Sequence, residues 1–194
     1  MKHPYKNETE FDRALGIDTS LTDIDWSVRR RHPCQPTPLV ALYAVAERLG
    51  VGEVIVDCGC GTGRAVFFFA AMGFYCTGVE LDERRFVQAM DNLARCRKCA
   101  PETAERVTLA NLPAQNFAPD EHVTALYFFN PFPAAVLRGV LRRIGERRVR
   151  LFCYYPDDEW VDLLLEESWR LEESIDLRDA LGKDARERVD VFGR

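Results

Sequence analysis

The sequence predicts an α/β fold: seven strands, helices between the first six, and a closing antiparallel hairpin. Two observations carry this. Val54–Val56 is a β-branched apolar run that stops at Asp57, passes through Gly59, Gly61 and Gly63, and enters Ala65–Met72, apolar on all sides. That is a buried strand, a glycine turn and a helix buried against a sheet. At the other end, Trp169–Leu177 and Glu187–Phe192 both read as strands with no helical pattern between them, so they pair as a hairpin.

The remaining elements follow in order. Residues 1–36 are polar, with few apolar anchors. Phe11–Ser20 reads as one short helical turn followed by an Asp-Thr-Ser turn. The segment is an N-terminal extension, either a surface arm or a flap over the substrate site, and the domain proper spans 37–194. Thr37 is expected to cap a helix, with Pro38 in its first position, apolar residues at helical spacing from Leu39 to Leu49, and Gly50 as its stop. Phe74–Val79 is a second strand closed by Glu80. Asp82 caps a helix to about Cys96, with Phe86, Ala89, Met90 and Leu93 as its apolar stripe. Arg106–Ala110 is a third strand and Val123–Phe129 a fourth, followed by a helix over Ala134–Ile144. Val149–Tyr155 is a fifth, and Asp157 caps a helix to about Glu167.

Composition sets the bounds. At 194 residues, 47% hydrophobic and 29% charged, the chain suits one globular domain. Its longest apolar runs, Leu39–Ala46 and Ala65–Met72, fall short of the roughly 20 residues of a membrane span. The polar N-terminus is no signal peptide, so a cytoplasmic location is expected. The net charge of −5 argues mildly against a general nucleic-acid binder. The Arg138–Arg150 cluster, with Arg142, Arg143, Arg147 and Arg148, reads either as a solvated face or as a local basic surface. The seven cysteines are irregularly spaced and imply no disulfide framework. Cys96-x-x-Cys99 lacks the second ligand pair a zinc site needs, so no metal is expected and the thiols read as reduced and mostly buried.

A strand, a glycine turn and a helix make a nucleotide-binding construction, because glycines admit close backbone approach and the helix N-terminus offers unpaired N–H groups. Glu80 ends the next strand 21 positions after Gly59, where a carboxylate can accept from both hydroxyls of a ribose. The glycine spacing is G-x-G-x-G, not the G-x-G-x-x-G of dinucleotide sites, since position 64 is arginine. The fourth strand ends in Asn130-Pro131-Phe132-Pro133. In an open parallel sheet that end faces the same opening as Asp57 and Glu80.

Val56-Asp-Cys-Gly-Cys-Gly-Thr-Gly-Arg64 and Thr77-Gly-Val-Glu-Leu-Asp82 together resemble the first two motifs of the class I S-adenosylmethionine-dependent methyltransferases. The resemblance covers about residues 35–192. It implies a Rossmann-like sheet of order 3-2-1-4-5-7-6 with helices on both faces, and S-adenosylmethionine as cofactor. By the same resemblance Gly59, Gly61 and Gly63 shape the loop against the methionine and ribose portion, and Asp57 orients the cofactor's ammonium. Glu80 binds the ribose diol, with Leu81 beside it, and Asn111 and Leu112 contact adenine. Asn111 stands where the family usually carries aspartate. Asn130, Pro131 and Phe132 resemble the N-P-P-Y/F motif of amino methyltransferases, lacking its second proline. They would hold an amino group on RNA, DNA, protein or a small molecule. Alternatively the tetrapeptide is a helix-start turn, and the chain a non-catalytic cofactor-binding partner subunit. Tyr154-Tyr155-Pro156 either walls a pocket or finishes a buried strand.

Overall fold

The computed structural model describes residues 3–20 and 35–194. Seven strands form one sheet of order β3-β2-β1-β4-β5-β7-β6, as expected. They are β1 (Val54–Cys58), β2 (Tyr75–Glu80), β3 (Val107–Asn111), β4 (Val123–Phe129), β5 (Arg150–Tyr154), β6 (Arg170–Asp176) and β7 (Arg188–Gly193). The first five are parallel to one another, whereas β7 runs antiparallel to both β5 and β6.

The helices are α1 (Glu8–Leu15), α2 (Leu39–Ala46), α3 (Arg64–Ala71), α4 (Glu83–Cys99), α5 (Pro101–Ala104), α6 (Ala134–Ile144), α7 (Asp158–Glu166) and α8 (Arg178–Leu181). The period-2 pattern of β4 splits the core in two. Ala125 and Tyr127 join a cluster containing Leu42, Phe67, Phe68 and Phe69, while Leu126 and Phe128 join Leu137, Trp160 and Trp169 on the opposite face. Helices therefore cover both faces.

Several local expectations are corrected. Phe11 and Leu15 are buried, so the N-terminal segment carries a full helix, α1, stopped by Gly16 in the left-handed conformation, where one turn was expected. Thr37 does not cap α2. Pro38 takes the N-cap position, and the Thr37 hydroxyl pairs instead with the Tyr127 hydroxyl at 3.1 Å. Asp157 sits at the N-cap of α7 but makes no capping hydrogen bond. Asp82 does cap α4, accepting from the N–H groups of Arg84 and Arg85, and α4 continues to Cys99. Its buried face is Ala89, Asn92, Leu93 and Cys96; Met90 is exposed. No regular helix joins β3 to β4, only a 3-10 turn over Ala114–Asn116. The hairpin loop contains the short α8.

Five of the described cysteines are buried and Cys99 is exposed. Residues 21–34, part of the segment 1–36 read as a surface arm or a flap, and Cys34 among them, fall outside the described residues. Among the described residues no helix is long and apolar enough to cross a membrane.

Candidate active site

A cleft of about 1080 Å³ opens at the carboxyl ends of the parallel strands. Of the residues singled out in the sequence, Asp57, Gly59, Gly61, Glu80, Leu81 and Leu112 line it together with Asn130, Pro131 and Phe132. Gly63 and Asn111 lie just outside its wall. Gly63 is the N-cap of α3, at φ 95°. The Asn111 side-chain amide donates to the Glu80 carbonyl at 2.8 Å and to the Leu81 carbonyl at 3.3 Å, so it braces the turn that presents Glu80.

The glycine turn is pinned to the neighbouring strand. The N–H groups of Gly59 and Cys60 both donate to the Val79 carbonyl, at 2.8 and 3.0 Å. Glu80 is buried, and its two oxygens divide their work. One accepts from the Gly61 N–H at 2.8 Å and the other from the Asp82 N–H at 2.7 Å. The carboxylate thus ties the glycine turn to the start of α4, and each oxygen keeps acceptor capacity for a ligand. Gly59 has φ 88°, and a Cβ there would collide with the Pro131 side chain. The close approach links the glycine turn to the Asn130-Pro131 turn. Gly59→Ala should therefore lower the unfolding free energy by about 1–3 kcal/mol, measurable by urea denaturation, because strain and clash add.

Asp57 ends up buried on the cleft floor. No group among the described residues hydrogen-bonds its carboxyl, and burial, reinforced by the negative charge of Glu80, pushes its pKa up to about 8. It is therefore largely protonated at neutral pH. Burial also pushes the thiols of Cys58, Cys60 and Cys76 well up, which removes them as nucleophiles.

Asn130 has φ 37°, a left-handed conformation held by the turn at the end of β4. Its side-chain oxygen is buried and has no hydrogen-bond partner among the described residues. An orphaned acceptor of this kind costs about 1–3 kcal/mol, which a bound N–H donor would recover. Phe132 lines the cleft too, but its ring packs against Trp160 at 5.4 Å, and its carbonyl accepts from the Trp160 indole N–H at 2.9 Å.

Other participants went unread in the sequence. Arg64, only 8% exposed, lines the cleft at the start of α3 and donates through Nε and Nη2 to the Thr19 hydroxyl and carbonyl, at 2.7 and 3.1 Å. Thr19 is held in turn by the Asp12 carboxylate. An arginine heading an otherwise apolar octapeptide was the available signal. Arg186 also lines the cleft, from a polar loop that carries no pattern, and Tyr155 lines it too, one of the two roles the sequence offered for Tyr154-Tyr155-Pro156.

The arginine cluster lies elsewhere. Arg150 opens β5, at the opposite end from the cleft, and pairs with Glu53 at 2.6 Å. Arg138 pairs with Glu166 and Glu167, Arg143 donates to the Gln115 carbonyl, and Arg147 donates to the carbonyls of Ile144, Pro119 and Asp120.

No protein-family model and no curated protein matches the sequence. Solved structures do match in fold. The glycopeptide N-methyltransferase MtfA in complex with S-adenosylmethionine aligns at TM-score 0.65 and 14% identity, over 80% of this chain and 86% of that one. Its sinefungin complex aligns at TM-score 0.64 and 16% identity, over 79% and 84% of the two chains. Geranyl diphosphate C-methyltransferase from Streptomyces coelicolor A3(2), in complex with S-adenosylhomocysteine, aligns at TM-score 0.61 and 13% identity, over 80% and 76%. The chain thus has the Rossmann-like fold that these S-adenosylmethionine-dependent methyltransferases share.

Proposed function

We propose that this chain is a methyltransferase that uses S-adenosylmethionine and methylates an amino nitrogen. The observation that carries the reading is the buried, unpartnered side-chain oxygen of Asn130, in the same cleft as the glycine turn, Asp57 and Glu80. The residues fit the cofactor. Gly59 and Gly61 leave room beside the turn, Glu80 keeps lone pairs for a ribose diol, and Asp57 would charge against an ammonium. Leu81, 66% exposed, and Leu112 offer apolar contact to adenine. Residues 37–194 form the catalytic domain in this reading, and a cytoplasmic location accords with it.

The chemistry supplied by the bound cofactor is an electrophilic methyl on a sulfonium, whose departing thioether is neutral and needs no acid. The protein's task is placement, which can contribute roughly 7–11 kcal/mol. Asn130 accepts a hydrogen bond from the acceptor amine and so aims its lone pair. The proton that the nitrogen sheds after forming its new bond to carbon passes to water in the open cleft.

A second reading is a non-catalytic partner subunit, and Phe132 favours it: the ring is engaged with Trp160 and is not free to stack on an acceptor. Labelled methyl transfer from S-adenosylmethionine into a fractionated cell extract separates the two. The expected result is label in one fraction, reduced about 10–100-fold by Asn130→Ala at unchanged cofactor affinity. Cofactor binding with no label in any fraction would leave the partner-subunit reading standing.

A further inference from the structure

We propose that the methyl acceptor is a small organic cation, anchored through its charged group by Asp157 while a separate, neutral amino nitrogen docks at Asn130. The inference rests on the methyltransferase reading and adds the acceptor's chemical class. Phe129 and Tyr154 are register partners on β4 and β5, so Asn130 and Tyr155 are the first residues beyond the ladder on adjacent strands. Both hold left-handed backbone, φ 37° and 54°, and they are two of the three non-glycine residues that do so among the described residues. Local strain of this kind costs about 1–3 kcal/mol and persists where a site needs the geometry. Both line the cleft, as does Phe129, whose ring sits edge-on to Tyr155 at 6.3 Å.

The charge around these aromatic walls is unbalanced. Arg186 lies over the Tyr155 ring at 4.4 Å, donates to the Tyr155 hydroxyl at 2.8 Å, and pairs with Asp184 at 2.9 Å. The Tyr155 hydroxyl donates to Asp184 at 2.6 Å, and the Tyr154 hydroxyl donates to Glu187 at 2.7 Å. One guanidinium thus faces two carboxylates, Asp184 and Asp157, while Glu187 is held by the Tyr154 hydroxyl. Asp157 is the loosely held one. It occupies the N-cap of α7 without capping it, lines the cleft, and meets Arg186 only at 3.6 Å. That contact joins side chains 43% and 37% exposed, and pairs of this sort contribute about 0–1 kcal/mol, so a ligand can replace it. Aromatic faces beside a surplus carboxylate favour a cation and repel an anion, phosphate backbones included. The reacting nitrogen must keep its lone pair, so the positive charge belongs to another group of the acceptor.

The test uses the full chain saturated with S-adenosylhomocysteine and two matched probes titrated by calorimetry at pH 7. The first is 4-(2-aminoethyl)aniline, an aryl amine bearing an ammonium; the second is 4-aminophenylacetate, the same aryl amine bearing a carboxylate. The expected result is at least about tenfold tighter binding of the cationic probe. Asp157→Asn should abolish that preference and Asp157→Glu should retain it, with S-adenosylhomocysteine affinity unchanged in both. Equal or tighter binding of the anionic probe, a preference that survives Asp157→Asn, or no binding of either probe to the saturated protein would overturn the proposal. Failure to bind S-adenosylhomocysteine would instead overturn the methyltransferase reading beneath it.

Discussion

Glu80→Ala should lower the affinity for S-adenosylmethionine by about two orders of magnitude or more, read by isothermal titration calorimetry. Glu80 closes β2 with its side chain 5% exposed, and its oxygens already hold the Gly61 and Asp82 N–H groups. A ribose diol would add two charge-assisted hydrogen bonds at about 1.5–3 kcal/mol each. Their loss gives the stated range before any loosening of the glycine turn is counted. That loosening is itself testable, because Glu80→Gln keeps the shape and one acceptor oxygen. It should fall between wild type and alanine in both affinity and thermal stability, because its amide can accept from only one of the two N–H groups. An alanine variant that binds the cofactor as wild type does would rule out the ribose role.

Much of this architecture was legible because it is written in hydrophobic periods. The alternation of β4 assigns Tyr127 and Phe128 to opposite cores, and the wholly apolar α3 could only be buried. The glycine turn, Asp57, Glu80 and Asn130 could be placed at one opening because a parallel sheet puts all its strand ends there. What escaped depends on partners distant in sequence. Thr37 had the right chemistry for a cap, yet the Tyr127 hydroxyl claims it across the fold. Asp157 occupies a cap position and leaves the cap unmade. Asn92, on α4, drew no reading from the sequence. It is fully buried, accepting from the Asp18 N–H and donating to the carbonyls of Asp18 and Thr62, and so joins the N-terminal segment to the glycine turn. Phe132 could be matched to a motif by type, but only packing reveals that Trp160 holds its ring. The acceptor rim drew on Arg186, whose loop carries neither period nor glycine spacing.

Asp57→Asn should flatten the pH dependence of stability and remove a pH dependence of cofactor binding. The folded carboxyl titrates at about 8, against an ordinary value of 3.8. Between those values the folded chain holds a proton that the unfolded chain has released. The contribution of Asp57 to stability is therefore fully present below about pH 4 and is lost as pH rises through about 8. The gap corresponds to an upper bound of roughly 6 kcal/mol, and water entering the cleft reduces it. Urea denaturation of the ligand-free protein should show stability declining from pH 5 to pH 9 in wild type. The decline should be much flatter in Asp57→Asn, leaving the variant more stable than wild type at pH 9 by about 2–4 kcal/mol. Binding has the opposite sense. A cofactor ammonium at Asp57 requires the ionised carboxyl, so wild-type affinity should rise up to about tenfold per pH unit between pH 6 and 7.5. It should level off as both groups pass their midpoints, since an α-amino group itself titrates near 7.7–8.0. The variant should bind more weakly and lack that rise. A carboxyl kept neutral by burial in the free protein and ionised by its ligand would thus trade stability against affinity at one position, and parallel pH profiles in the two proteins would show that Asp57 does neither.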